Sequence, residues 1–435
     1  MSRRRCGPAP IYHVAPDANL KLALAAGVRD TTGRKAVLDK RGLVVRIAHS
    51  HSELPRTLRP SATPRRLAIL CLRHLLAMDI PKRDRSPWST QHRNAAPRRE
   101  TGMTETYRAV MLRKKGGPEA LQIVELPVER PGPGQLRVRV RAAGVGSTDL
   151  IILAGKYRYA PKIPLVPGYE IAGVVEAIGA GVTNFEVGQH VAALTVYGGF
   201  AEILVREAEH FLLIPEGVSD PEAAAVILNY VTAWQMIHRV AKVKSGQTAL
   251  VTGAAGGVGS AALQLLRLAG VKTYGVASAP KHDTLRSLGA IPIDYRAGSM
   301  DRLTRALEPM GVDYAFDAVG GANIGPCIRA LRRGGTLVGF GFMGASGTLS
   351  QLAMFANIFI GARLRGRVGW FYGITSMYRR DSGPLREDLP KIFALLAEKA
   401  IDPLVNHTFP LLDARKALEL LAAGSVVGKI VLTNG

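Results

Sequence analysis

Residues 247–270 read QTALVT-GAAGGVG-SAALQLLRLAG. The first six residues favour a strand, and the residues after 259 place apolar side chains on one face of a helix that ends at Gly270. The glycines between them let the chain turn tightly, approach a pyrophosphate closely and pack helix against strand. The start of the helix offers free N–H groups and a favourable dipole to phosphates. The stretch therefore predicts a dinucleotide-binding turn made by Gly253, Ala255, Gly256, Gly257, Val258 and Gly259.

Strands and helices alternate after this turn. The patterns predict strands at residues 271–277, 291–294, 312–317 and 336–339, and helices at residues 281–288, 301–307 and 324–331. Such alternation is typical of a doubly wound parallel sheet of the Rossmann type, so the expected fold class is α/β. A purely structural glycine turn is the alternative, and the strand and helix on its two sides argue against it.

The end of the second strand indicates which dinucleotide binds. An NAD enzyme usually places a carboxylate there to bind the ribose 2′-hydroxyl, and residues 277–282 (ASAPKH) contain none. Ser278 and Lys281 can instead bind a 2′-phosphate through a hydrogen bond and a charge. The expected cofactor is therefore NADP(H). The alternative for Lys281 is a solvent-facing lysine of the following helix.

The excess positive charge lies mostly at the start of the chain. The 435 residues have a formal net charge of +23. Residues 1–102 carry 21 Lys and Arg against 7 Asp and Glu, and show little periodicity beyond a possible basic helix at residues 65–78. This composition predicts a disordered basic leader, or sequence upstream of a true start at Met103. A transit peptide and a nucleic-acid-binding arm are weaker alternatives, because the segment is long for the first and lacks a known module for the second.

The cysteine count and the hydropathy of the chain limit which class of protein it can be. Only Cys6, Cys71 and Cys327 occur, so a disulfide framework and a four-cysteine zinc lobe are not expected. No run of 18 apolar residues occurs, so no membrane span is expected. The sequence therefore favours a cytoplasmic protein.

Several motifs precede the glycine turn in a fixed order. Residues 142–149 read AAGVGSTD, residues 164–175 PLVPGYEIAGVV, residues 185–191 FEVGQHV and residues 198–202 GGFAE. Together with the turn, they resemble the medium-chain dehydrogenase/reductase superfamily, and within it the quinone oxidoreductase and zeta-crystallin branch. The resemblance runs from about Tyr107 to Val431.

The resemblance implies a domain order. The leader at residues 1–102 would precede a GroES-like, β-rich catalytic domain at residues 103–227. A Rossmann NADP-binding domain would occupy residues 228–372, and residues 373–435 would return to the catalytic domain. The family's pairing of subunits through an edge strand of the Rossmann sheet would place Leu364 to Val368 at the interface of a homodimer. Alternation of Arg363, Arg365 and Arg367 there is equally consistent with a charged edge that discourages pairing.

Zinc divides the superfamily, and this chain resembles its zinc-independent members. Zinc-binding members place a cysteine at the position of Gly146, a histidine at that of Tyr169 and another cysteine near Leu228. Glycine and leucine side chains cannot ligate zinc, so no metal is expected. Reduction of an electron-poor quinone or C=C bond remains feasible without a Lewis acid.

The resemblance also implies roles for single residues. Thr232, Phe340 and Gly341 match positions that contact or close over the nicotinamide. Tyr295 matches a tyrosine near the 2′-phosphate, and Lys429 is a weaker candidate for a cofactor contact. The branch often has Asn at the position of Gly146 and Tyr at that of Ile151, so the substrate range is open.

Two residues are candidates for the catalytic pocket. Tyr157 lies in a segment that feeds the active-site cleft, and its hydroxyl is a candidate donor to the acceptor oxygen. The alternative is that the Tyr157 ring only packs against the substrate as an apolar wall. Tyr159 and Tyr169 are the other tyrosines that could act as the donor. Asp149 matches a residue of the family, which implies a role in the pocket. The alternative is that its carboxylate only caps a turn.

Three functions remain open. The first is an NADPH-dependent reductase of quinones or other conjugated carbonyls, with a small electrophilic acceptor as the partner. The second is an enoyl-thioester reductase of the same superfamily, in which residues 155–157 would supply a tyrosine. The third is a non-catalytic protein that binds a dinucleotide or, less expectedly, a nucleic acid.

Overall fold

A computed structural model describes residues 105–345 and 347–435, together with a short antiparallel pair of strands at Leu38–Asp39 and Gly42–Leu43. That pair belongs to a separate unit, Met1–Thr63, and everything below concerns the unit Pro64–Gly435. The predicted leader and the possible helix at residues 65–78 otherwise lie outside the described residues.

The first sheet has seven strands and contains motifs that precede the glycine turn in the sequence. Its longest strand, β3, follows the alternation of Leu136, Val138 and Val140 with arginines, so its apolar side chains are fully buried on one face. Strand β3 pairs antiparallel with three strands: β4 (Glu170–Ile178), β6 (Ile203–Glu207) and β15 (Lys429–Thr433). The strands before the Rossmann part are β1 Thr106–Leu112, β2 Leu121–Pro127, β3 Gln135–Val145, β4 Glu170–Ile178, β5 His190–Leu194, β6 Ile203–Glu207 and β7 Phe211–Leu213. Strands β1 and β2 form a separate hairpin.

The second sheet has six strands, all parallel, in the order β10-β9-β8-β11-β12-β13. The strand at residues 248–252 is a nearly continuous apolar run, as expected of a parallel strand covered on both faces, and its Ala249, Leu250 and Val251 are fully buried. The strands are β8 Thr248–Thr252, β9 Lys272–Ala277, β10 Ile291–Asp294, β11 Val312–Asp317, β12 Leu331–Gly339 and β13 Val368–Phe371.

One almost completely buried helix, α2, packs against strands of the first sheet and against α3 of the Rossmann part. It begins with a capping box, in which Ser219 N donates to Glu222 Oε2 at 3.0 Å. The expected boundary between residues 227 and 228 falls inside this helix. The helices are α1 Ser147–Leu153, α2 Asp220–Trp234, α3 Gly257–Leu268, α4 His282–Ser287, α5 Met300–Leu307, α6 Ile324–Ala330, α7 Thr348–Ala356, α8 Ala362–Leu364, α9 Ile374–Arg380, α10 Gly383–Ala397 and α11 Ala414–Ala422.

The end of the chain returns to the first sheet. Strands β14 Val405–Pro410 and β15 Lys429–Thr433 pair with each other, and Ile430 of β15 lies opposite Val145 of β3. This return places residues from the last quarter of the chain beside the motifs of the first sheet.

The expected fold class, an α/β protein with a β-rich sheet and a Rossmann sheet, is confirmed. Strands β10 and β11 begin and end at the predicted residues. The predicted position of the Rossmann edge strand is wrong: the strand runs over Val368–Phe371 and not over residues 364–368. Leu364 ends helix α8, and Gly366 adopts a φ of +70°, so the chain cannot be extended before Val368.

Candidate active site

The glycine turn joins β8 to α3 at the carboxyl end of the parallel sheet. Gly253 has a φ of +59°, and Gly256 N donates to Gly253 O at 3.0 Å. A Cβ at Gly259 would overlap that same carbonyl oxygen, and one at Gly257 would overlap the amide of Asn229. A Cβ at Gly256 would meet only the Gly253 oxygen, at 3.3 Å. The turn is therefore closed by backbone contacts that leave its outer face open to a ligand.

The candidate 2′-phosphate residues gather at the ends of the neighbouring strands. Ala277 and Asp294 lie opposite each other in β9 and β10, so the next residues, Ser278 and Tyr295, are neighbours. Lys281 Nζ donates to the carbonyl oxygens of two residues in the loop before β15, each at 3.1 Å. No carboxylate of the described residues pairs with this ammonium group, which keeps a third N–H for a ligand.

A buried carboxylate that the sequence did not single out organises the loops of this sheet edge. Asp317, fully buried at the end of β11, accepts hydrogen bonds from Thr252 Oγ1 and Gly320 N, each at 2.6 Å. Its carbonyl oxygen accepts from Phe340 N at 2.9 Å and from Gly341 N at 3.3 Å. Asp317 therefore fixes the loop that was predicted to close over the nicotinamide. The one sequence signal for this role was an aspartate at the end of the predicted strand 312–317.

Helix α2 presents a polar face toward the glycine turn. Asn229 lies against Gly257, and Thr232 follows three residues later on the same side of the helix. Thr232 is 5% exposed, and within the described chain its Oγ1 has no hydrogen-bond partner. Buried hydroxyls almost always have a partner, so this one fits a contact with a ligand such as the nicotinamide half of a dinucleotide.

Three hydroxyl groups meet in a mostly buried cluster between the first sheet and α9. Tyr157 Oη lies 2.6 Å from Tyr169 Oη and 2.7 Å from Thr375 Oγ1, and the last two groups also contact each other. Burial raises the pKa of Tyr157 to about 12 and that of Tyr169 well above its usual value. Both phenols therefore stay protonated and can donate. Thr375 was missed, because a threonine in α9 belongs to none of the motifs.

Asp149 lies beside this cluster but faces the backbone. It is fully buried, and its two carboxylate oxygens accept from Gly146 N at 2.9 Å and Gly168 N at 3.3 Å. Burial raises its pKa to about 7, although the two N–H groups and the Lys429 ammonium oppose the shift. The geometry is that of a carboxylate capping α1 and tying it to the segment before β4.

Two of the three positions that correspond to zinc ligands, Gly146 and Leu228, come together, and an ion pair lies beside them. A Cβ at Gly146 would be 3.5 Å from Leu228 Cδ2 and 4.0 Å from Lys429 Nζ. Lys429, a predicted cofactor contact, forms an ion pair with Glu170, and both side chains are at most 2% exposed. Glu170 also accepts from Leu228 N. The pair brings a buried cation next to Gly146.

Neither a metal cluster nor a membrane-spanning helix is found in the described chain. No three His, Cys, Asp or Glu side chains converge there in a way that would hold a metal ion. None of the helices in the described residues has both the length and the apolar character that crossing a bilayer requires.

A β-rich sheet that receives the end of the chain, joined to a Rossmann sheet with a glycine turn, defines a class of two-domain dinucleotide oxidoreductases. The family description "Alcohol dehydrogenase GroES-like domain" matches residues 132–216, and "Zinc-binding dehydrogenase" matches residues 288–432. The chain belongs to the medium-chain dehydrogenase/reductase superfamily, in its quinone oxidoreductase branch.

Three relatives illustrate this membership. The human synaptic vesicle membrane protein VAT-1 homolog-like is 30% identical over 343 residues, which cover 76% of this chain and 82% of the relative. A quinone oxidoreductase-like protein 2 homolog from Nematostella vectensis is 31% identical over 335 residues, covering 76% and 90%. The mycobacterial Rv1454c, solved in complex with NADPH, is 29% identical with a TM-score of 0.66, covering 75% and 100%.

Proposed function

We propose that this oxidoreductase uses NADPH to transfer a hydride to a quinone or another conjugated carbonyl acceptor, without zinc. The observation that carries the proposal is the cluster of hydroxyl groups on Tyr157, Tyr169 and Thr375. It supplies protonated donors, and one of them, Tyr169, stands where zinc-binding relatives place a histidine ligand.

The residues around the glycine turn fit an NADP(H) cofactor. The turn and the start of α3 would hold the pyrophosphate, and the unpartnered hydroxyl of Thr232 would meet the nicotinamide half. Ser278, Tyr295 and the ammonium group of Lys281 would surround the 2′-phosphate, with no carboxylate at the end of β9 to repel it. The NADPH complex of the mycobacterial relative supports the same choice.

The protein's own groups orient the acceptor and stabilise its oxygen. Bound NADPH supplies the hydride. Negative charge then develops on the carbonyl oxygen, and a hydrogen-bond donor placed there lowers the barrier. Tyr157 donates, because its pKa of about 12 keeps the phenol protonated at neutral pH. Tyr169 and Thr375 orient the Tyr157 hydroxyl, and solvent water replaces the proton that Tyr157, which is only partly buried, donates.

Zinc is not needed in this scheme. Gly146 has no side chain and Leu228 no ligating atom, and the two positions lie side by side. The cation nearest to them is the buried ammonium group of Lys429, held by Glu170.

An acceptor survey with the full chain tests the proposal. NADPH oxidation is followed with a panel of quinones and enones, then with crotonyl-CoA, then without acceptor. Quinone- or enone-dependent oxidation that persists after exhaustive chelation is the expected result. Oxidation with none of the acceptors, despite NADPH binding, would contradict the proposal and favour a non-catalytic dinucleotide-binding protein.

A second candidate, an enoyl-thioester reductase, is favoured by one observation. The guanidinium groups of Arg158 and Arg379 lie 5.2 Å and 5.5 Å from the ring centroid of Tyr159, whose ring meets that of Tyr157 edge-on at 5.6 Å. Two cations near the hydroxyl cluster would suit the phosphates of a coenzyme A thioester. Crotonyl-CoA turnover well above that of every quinone would select this candidate.

We also propose a homodimer, paired through the edge of the Rossmann sheet. Strand β13 is the edge strand, and Val368 and Trp370 on it are 42% and 44% exposed. Apolar side chains on an unpaired edge favour pairing with a second copy. Sedimentation equilibrium of the parent and of Trp370→Lys tests this, and a monomeric parent would contradict it.

A further inference from the structure

A cleft of about 340 Å³ lies at the end of the Rossmann sheet opposite the glycine turn. It lies at the amino-terminal ends of β11, β12 and β13, whereas the turn follows the carboxyl end of β8. Because a six-residue strand such as β11 is roughly 20 Å long, the two places are well separated. The cleft is lined by Asp301, Arg302, Arg305, Arg329, Arg365 and Arg367.

Positive charge in this cleft is largely uncompensated. Five arginines and one aspartate give the lining a net charge of +4. Asp301 is committed to Arg329, whose Nε lies 2.6 Å from Asp301 Oδ2. In the described part of the chain, the other four arginines form no ion pair with a carboxylate. Arg305 and Arg367 are half-buried, so solvent screens their repulsion only in part.

Two guanidinium groups are held in place by the backbone. Arg305 donates to the carbonyl oxygens of Arg329 and Leu331, at 3.0 Å and 2.9 Å, and Arg367 donates twice to the same Leu331 oxygen, at 2.9 Å and 3.2 Å. Two like charges therefore converge on one carbonyl group. Carbonyl contacts fix the orientation of the planar groups but do not neutralise them.

The charges in and beside the cleft act on one another. Burial lowers the pKa of the Arg367 guanidinium, and the neighbouring charges of Arg305, Arg333 and Arg365 lower it further. A cluster held together in spite of mutual repulsion gains most from an anion with several negative oxygens. Arginine forks match phosphate oxygens in pairs, and a volume of 340 Å³ is at the lower end of small-ligand sites, which span roughly 300–1,000 Å³.

We propose that this cleft binds the diphosphate or triphosphate group of a small molecule, at a site separate from the dinucleotide turn. Arg305 and Arg367 form its fixed floor, and Arg302 and Arg365, both exposed, close on the ligand from the rim. The same chemistry serves free inorganic polyphosphate and the phosphate chain of a nucleotide.

Calorimetric titration of the full chain with inorganic triphosphate tests the proposal. It is run with and without saturating NADPH, so that binding at the dinucleotide turn is recognised by its competition. The expected result is one saturable site that NADPH does not remove. Arg365→Gln and Arg302→Gln should each weaken it roughly three- to tenfold. If ATP binds as tightly as triphosphate, the cleft recognises the phosphate chain alone. If ATP binds more tightly, the cleft also contacts the nucleoside.

The control is Arg415→Gln, which removes another exposed arginine, one that pairs with Glu419 on α11. It should leave triphosphate affinity unchanged, and thermal melting should confirm that all three variants are folded. Absence of saturable binding by the parent would overturn the proposal. So would equal weakening by Arg415→Gln, which would mean a diffuse attraction to a protein of net charge +23.

Discussion

The hydroxyl of Tyr157 is the group on which the proposed chemistry depends most directly, and Tyr157→Phe removes it while keeping the ring. Turnover with the best acceptor should fall roughly ten- to a hundredfold, because the variant lacks the donor to the developing oxyanion. NADPH affinity should stay at the parent value, since the hydrogen bonds of the Tyr157 hydroxyl go to Tyr169 and Thr375 and not to the glycine turn.

The structure also sets the cost in stability. Tyr157 Oη takes part in two of the three contacts of the cluster, at 2.6 Å and 2.7 Å. The remaining contact, between Tyr169 and Thr375, survives the substitution. Since a neutral hydrogen bond contributes about 1 kcal/mol net, the free energy of unfolding should fall by about 2 kcal/mol at most. The variant should therefore fold, and a loss of turnover can be read as chemistry.

The assay is steady-state NADPH oxidation together with a fluorescence titration of NADPH, and Tyr159→Phe is the matched control. The ring of Tyr159 lies 5.6 Å from that of Tyr157, but Tyr159 is not a member of the hydroxyl cluster. Its variant should keep parent turnover. Parent-like turnover of Tyr157→Phe with quinones and with crotonyl-CoA would refute the reasoning and leave solvent water as the proton source.

Four further results are expected. Gly259→Ala should abolish NADPH binding and lower the melting temperature, because the added Cβ would overlap Gly253 O. Gly256→Ala should stay folded, because its Cβ would lie 3.3 Å from the same oxygen. Equal losses of melting temperature in the two variants would contradict this. Lys281→Ala should weaken NADPH roughly tenfold and NADH little in parallel titrations, and equal affinities of the parent for both dinucleotides would exclude the proposed 2′-phosphate site. Burial raises the pKa of Asp149 to about 7, so the folded state holds a proton that the unfolded state releases, and this stability is present at low pH and lost as pH rises toward about 7. Urea unfolding at about pH 5 and about pH 8 should show a decline larger in the parent than in Asp149→Asn by roughly 2–3 kcal/mol, and parallel curves would disprove it. Exhaustive chelation should leave turnover intact and elemental analysis should find no stoichiometric zinc, while activity restored only by added zinc would overturn metal independence.

The sequence alone determined the alternation of strands and helices in the Rossmann half, although not the bounds of its edge strand. Strands Ile291–Asp294 and Val312–Asp317 have the predicted ends, because periodicity and the residues at strand ends act over a few positions. The glycine turn was equally local, since backbone geometry requires glycine at particular places whatever surrounds them. Membership of the superfamily followed from motifs in order, which need no tertiary contact to be recognised. The cofactor and catalytic roles of single residues stay predictions.

Only the tertiary structure decided which distant groups meet. Thr375 reaches Tyr157 across 218 positions, and Lys429 reaches Glu170 across 259. The Lys429 contact arises because the end of the chain returns to the first sheet, where β15 pairs with β3, and the Thr375 contact arises where α9 packs beside that sheet. No local pattern marks such partners, since their proximity depends on the register of two strands and on the packing of α9. A hydroxyl or ammonium side chain has the same sequence signature whether it lies in solvent or in a buried cluster, and packing alone gives it a partner and a shifted pKa.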